Sequence, residues 1–117
     1  MAQDLIASLE ALLAKGQDAP SLRFALASRY LAAGDAAAAL RHAEAAVALD
    51  AAYSAGWRVL GQARAAAGDE RGAIESYRRG IEVAGMRGDR QAAKEMRVFL
   101  KRLEKRAGSA PPEGGDA

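Results

Sequence analysis

The feature that most constrains this chain is an internal repeat: Gly34-Asp35 recurs as Gly68-Asp69, Leu26-Ala27 as Leu60-Gly61, and Ala39 as Ala73, each 34 residues further on. A period of that length belongs to a unit of two antiparallel helices, which cannot bury its apolar face alone and must stack on copies of itself. Function is then expected on a surface of the stack rather than in a catalytic pocket. The sequence holds 31 alanines against 28 leucine, isoleucine, valine, methionine, phenylalanine, tyrosine and tryptophan residues together. The core must therefore come from close helix approach more than from bulk. Alanine has the best helix propensity and β-branched residues are few, which favours an all-α class over any sheet.

Apolar spacing and cap signals predict six helices joined by short turns. The first runs from Asp4 to Lys15 with Leu5, Ile6, Leu9, Leu12 and Leu13 on one face and Gly16 at its end. Pro20 suits the start of a second, which carries Leu22, Leu26 and Tyr30 to Gly34. Asp35 can cap a third from Ala36 to Leu49, Ser54 a fourth through Trp57 and Leu60, and Asp69 a fifth through Ala73, Ile74, Tyr77 and Ile81. After a linker around Gly85–Gly88, Asp89 can cap a last helix running to about Ala107. The expected organisation is one helical domain over 1–107: a helix at 4–15, repeats at 20–53 and 54–87, and a capping helix at 89–106. Residues 108–117, rich in glycine and proline, are expected to be a disordered tail.

Several function classes have little to work with. The absence of cysteine excludes disulfides, thiolate metal sites and cysteine nucleophiles. His42 is the single histidine, too few for a zinc set, and its alanine-rich helix suggests a place at the solvent edge. The glycines punctuate helices, so no phosphate-cradling loop is formed, and no cofactor is implied. Asp69-Glu70 reads as a helix N-terminal pair that complements the macrodipole. An enzyme is not expected. The N-terminus carries an acid where a secretory signal would carry a base, and no apolar run reaches the roughly 18 residues of a membrane span, so a cytoplasmic protein is expected.

At Trp57-x-x-Leu60-Gly61, followed by Gly68-Asp69 and Ala73-x-x-x-Tyr77, the chain resembles the tetratricopeptide repeat (TPR) family. The small residues Gly61 and Ala73 would let the two helices of a hairpin touch, with Trp57, Leu60 and Tyr77 beside the contact. The earlier copy keeps Leu26-Ala27, Tyr30 and Gly34-Asp35 but has Arg23 where the later has Trp57, and Ala43 where the later has Tyr77. Arg64 replaces the aromatic seen at Tyr30; it is either a stem lying over a core edge with its head in water, or a ligand contact. The register puts Leu5, Leu9 and Leu12 on the positions of Ala39, Ala43 and Ala46, making the first helix similar to the second half of a preceding repeat. With an insertion of about two residues, Ala93, Met96 and Leu100 of the last helix take core positions. The resemblance implies a right-handed α-α superhelix of antiparallel hairpins, laid out like the small bacterial stand-alone TPR proteins.

The resemblance also implies a concave groove on the first helices of the hairpins, where partner peptides lie. Its candidates are Ser21, Phe24, Ser28 and Leu31 in the first copy and Arg58, Gln62 and Ala65 in the second. Phe24 lies off the Leu22-Leu26-Tyr30 stripe, to be covered either by the last helix or by a partner. A chaperone-tail clamp is disfavoured, because of the polar set it needs only Arg58 is present. A second candidate is the basic stripe Arg87, Arg90, Lys94, Arg97, Lys101 and Lys105, which is either the solvated face of a capping helix or a contact for an acidic partner, RNA included. Residues 87–106 hold 8 basic and 3 acidic side chains, while residues 1–86 hold 9 and 10. The expected partner is another protein, with nucleic acid through the basic helix as the alternative and a monomer or weak homo-oligomer as the assembly.

Overall fold

A computed structural model describes residues 2–109, and these form six helices and no strand. They are α1 (Ala2–Ala14), α2 (Pro20–Ala32), α3 (Ala36–Leu49), α4 (Ser54–Ala66), α5 (Glu70–Met86) and α6 (Arg90–Ser109).

The Gly-Asp pairs make the turns. Gly34 and Gly68 stand at φ +81° and +86°, in the left-handed region that a side chain disfavours. The following Asp35 N–H donates back to the Tyr30 carbonyl at 2.9 Å and that of Asp69 to Arg64 at 2.8 Å, closing the outgoing helix. The same aspartates then open the next helix, Asp35 Oδ1 accepting from the Ala38 N–H at 3.0 Å and Asp69 Oδ1 from Gly72 at 2.9 Å. Gly88-Asp89 repeats the device before α6, with Asp89 accepting from Ala92 at 3.1 Å. Two residues thus stop one helix and start its antiparallel neighbour.

Some expected boundaries shift. Ser54 does not cap α4: it is the first helical residue, and Tyr53 holds the cap position without a side-chain bond. Gly85, expected in a linker, lies inside α5, since a single glycine costs a helix only about 1 kcal/mol. The last helix passes the expected tail boundary and includes Gly108 and Ser109, while 110–117, where the rest of that tail was placed, lie outside the described residues.

Each helix packs on the next in sequence, and α2, α4 and α6 also stand in a row, α2 touching α4 and α4 touching α6. Ala27, Ala39, Ala43, Ala46, Ala63, Ala73 and Ala84 are fully buried, along with Leu26, Leu60, Met96 and Tyr77. Close approach requires glycine at Gly61, where a Cβ would stand 2.7 Å from the Tyr77 ring, and at Gly80, where one would meet the Met96 sulfur. The first helix departs from its counterparts. Ala39 and Ala46 are sandwiched between α2 and α4 and are fully buried, but Leu5 and Leu12 at the matching positions of α1 each remain 37% exposed, because no helix packs on the far side of α1.

Candidate functional site

The groove candidates fall on the row α2, α4, α6. Ser21 is exposed, and Phe24, Ser28, Leu31, Arg58, Gln62 and Ala65 are half-buried. Phe24 and Leu31 rest on the core patch of Ala27, Ala43, Val59 and Leu60. The Tyr53 ring meets Phe24 edge-on with centroids 6.0 Å apart, and the Arg58 guanidinium stands 5.4 Å from the Phe24 centroid. Phe24 is thus flanked by the end of its own repeat and the start of the next, and not by α6, which does not touch α2. The arrangement joins an aromatic surface to a cation across two repeats.

The residues of the basic stripe have different surroundings. Arg87 donates to the Ala52 carbonyl at 2.7 Å and ties two turns together. Arg90, Lys94 and Arg97 line a cleft of about 620 Å³ with Ala84, Gly85, Gly88 and Ala93. Lys101 and Lys105, with Arg102, surround Val98 in a shallow pocket of about 270 Å³. Other α6 charges have partners within the fold: Arg106 reaches Glu70 at 2.6 Å, Glu104 accepts from Arg78 at 2.7 Å, and Arg102 lies 5.9 Å from the Phe99 ring centroid. Ala93, Met96 and Leu103 are buried, and Ala92, Phe99 and Leu100 pack beside them, as the sequence spacing implies.

His42 and Arg64 correct two expectations. His42 is not at the solvent edge but 5% exposed, because α1 folds over it. Its ring stacks on Tyr30 at 5.5 Å and 4°, its Nδ1 accepts from Arg23 at 3.1 Å, and its Nε2 faces Glu10 at 3.4 Å. A guanidinium only donates, so Nδ1 is the acceptor and the ring proton sits on Nε2, toward the carboxylate. Burial pushes the His42 pKa down, opposed by Glu10 and helped by Arg23 and Arg41. Tyr30 donates to the same Glu10 oxygen at 2.6 Å, which raises its pKa, and Arg23 grips Asp18 with two bonds, which lowers that of Asp18. The Arg64 head is not left to water alone: its Nη1 donates to Ser76 Oγ at 2.8 Å and to the Gly72 carbonyl at 3.1 Å, while the half-buried residue still lines a surface cleft with Trp57 and Arg79. Both are structural positions that the helical pattern alone did not disclose. Tyr30 and Glu10 lie on separate helices 20 residues apart, so no local pattern signals their bond.

No group of histidine, cysteine or carboxylate residues that could hold a metal exists among the described residues, and among these no helix is long and apolar enough to cross a membrane. No protein-family model matches the chain. It is 50% identical over 101 residues to a TPR repeat-containing protein of Pseudomonas aeruginosa, covering 86% of this chain and 96% of that one. The solution structure of a Bordetella parapertussis protein superposes with a TM-score of 0.74 at 40% identity, over 86% of this chain and 88% of that one. The Sgt2 TPR domain of Aspergillus fumigatus gives a TM-score of 0.69 at 27% identity, over 99% and 87%.

Proposed function

The chain belongs to the tetratricopeptide repeat (TPR) family, and from that premise we propose that it is a non-enzymatic interaction module which holds a peptide or helix of another protein along the row α2, α4. Phe24 is the anchor, with Arg58 and Gln62 as polar contacts and Ser21, Ser28, Leu31 and Ala65 as the surrounding floor. The observation that carries this is the Phe24–Tyr53–Arg58 group. Its rings and cation are already ordered by one another, at 6.0 and 5.4 Å, so a partner need not supply the entropy of fixing them. An array of this length offers little area, and a modest affinity follows.

The cleft formed by Arg90, Lys94 and Arg97, which has no acid in its lining, favours a second reading, in which α6 holds RNA or another polyanion. The two separate on salt and on residue. Pull-downs from the source cells would compare wild type with a Phe24→Ala, Arg58→Glu variant, with and without nuclease, washed at low and high salt. A protein that survives nuclease and salt and is lost with the variant is the expected result. Material that vanishes with nuclease or salt and ignores the variant would establish the polyanion reading instead.

A further inference from the structure

Two cations of the basic stripe, Lys94 and Lys101, continue the groove register onto α6. With the two-residue insertion before α6, Lys94 takes the position of Phe24 and Arg58, Val98 that of Ser28 and Gln62, and Lys101 that of Leu31 and Ala65. The burial agrees: Ala93, Met96 and Leu103 point into the core, leaving Lys94, Val98, Lys101 and Lys105 on the opposite side of the helix. Val98 is 45% exposed, an uncovered apolar side chain in a shallow pocket walled by the stems of Lys101, Arg102 and Lys105. Arg97 stands where α2 has Ala27 and α4 has Gly61, and its bulk prevents a further hairpin helix from seating as closely as α5 does on α4.

We propose that the outer face of α6 docks an acidic amphipathic helix of a partner protein, with an apolar side chain on Val98 and carboxylates on Lys94 and Lys101; this rests on the groove reading and names its partner's chemistry. Lys94, Val98, Lys101 and Lys105 follow one another at intervals of four, three and four residues, the spacing of a helix–helix seam. Lys94 and Lys101 are two turns apart, about 10 Å along the axis, which matches acids seven residues apart on the facing helix. Charge complementarity fixes the sign of the partner, and the apolar pocket between the cations selects an amphipathic one. A nucleic acid fits less well. Stacking on bases needs a free aromatic face, and the aromatic of α6, Phe99, is stacked on Tyr77 at 5.6 Å.

The test uses the full chain and a synthetic 21-residue peptide, glutamate- and alanine-rich, with leucines spaced to form one helical face; a copy with serine for each leucine and an oligouridylate of similar charge serve as comparators. Titration by fluorescence anisotropy should show the leucine peptide binding about tenfold or more tightly than either comparator. Lys94→Glu, Lys101→Glu should weaken it by about tenfold or more, and Val98→Ser by about threefold, with helicity unchanged by circular dichroism. Equal binding of the serine copy or of the oligouridylate, or indifference to the two lysine substitutions, overturns the proposal. Phe24→Ala, Arg58→Glu distinguishes the readings: a peptide that needs α6 but ignores this pair keeps the α6 strip and sinks the Phe24 anchor.

Discussion

The two hairpins share their turns and differ in their interiors. In α2–α3, Ala27 and Ala43 allow close contact, and the flank is polar, with Arg23, Tyr30 and His42 gathered under Glu10 of α1. In α4–α5 the corresponding positions are Gly61 and Tyr77, then Trp57, Arg64 and Ser76. One flat group has replaced another: the Tyr30 ring stacks on an imidazole, and the Arg64 guanidinium bonds to a hydroxyl. Likewise the ring missing at Ala43 appears at Tyr77, where Gly61 gives it room. What repeats is therefore the turn chemistry and the satisfaction of buried polar atoms, not the residue at each position.

The largest effect should come from breaking the second hairpin's exchange. Tyr77→Ala removes a ring that is 2% exposed and should cost about 3–5 kcal/mol in urea unfolding. Gly61→Ala puts a Cβ 2.7 Å from that ring and should cost about 1–3 kcal/mol. The double variant installs the alanine pair of the first hairpin, so its loss should fall short of the sum by about 1 kcal/mol or more. Strictly additive losses would mean that Gly61 and Tyr77 are not the exchange that separates the two copies. Burial also pushes the Tyr77 pKa up to about 12, so its phenol should stay largely un-ionised until the pH approaches that value, as an ultraviolet titration would check.

The helices were legible in the sequence because turn chemistry is local: Gly34-Asp35 and Gly68-Asp69 each carry a left-handed residue and a cap within two positions. The docking face of α6 was legible from its spacing. His42 was not, because an alanine-rich helix reads the same whether or not another helix lies over it, and α1 reaches it from 32 residues away. Arg64 was misplaced for a related reason: a long cationic side chain usually keeps its head in water, and only the carbonyl of Gly72 and the hydroxyl of Ser76 one helix over change that. For the groove, the positions could be read from the register, but not that Tyr53, which caps α4, would stand edge-on against Phe24.

A middle-sized effect should separate the hairpins by pH. Burial first of all holds His42 neutral, and a proton added at Nδ1 would face the Arg23 guanidinium that donates there, with Arg41 also near and Glu10 alone in favour. The folded pKa is depressed below 6.5, so between the two values the unfolded chain binds more protons. Stability tied to this group is fully present above about pH 6.5 and is lost as pH falls from there toward the folded value. The Asp18 carboxyl, lowered by its Arg23 bonds, acts only at more acid pH and leaves this window clear. His42→Ser, which installs the residue found at Ser76, should cost about 1–3 kcal/mol near neutrality and flatten the slope just below pH 6.5. An unchanged slope in thermal melts of the variant would show that the titration lies elsewhere.

The smallest effect is expected at Arg64. Its two bonds look like those that hold His42, but their loss strands nothing: Ser76 Oγ also donates to the Gly72 carbonyl at 3.0 Å, so both atoms keep a partner when the guanidinium is gone. Arg64→Ala should therefore cost about 1 kcal/mol, the net worth of ordinary hydrogen bonds rather than the larger penalty of an unpaired buried group. Ser76→Ala in the same background should add little, since the hydroxyl's remaining bond is to its own helix. The first hairpin's polar group links three helices through Glu10, whereas this one links only α4 to α5. A loss at Arg64 as large as that at His42 would reverse the comparison and make the second hairpin's arginine the stronger tie.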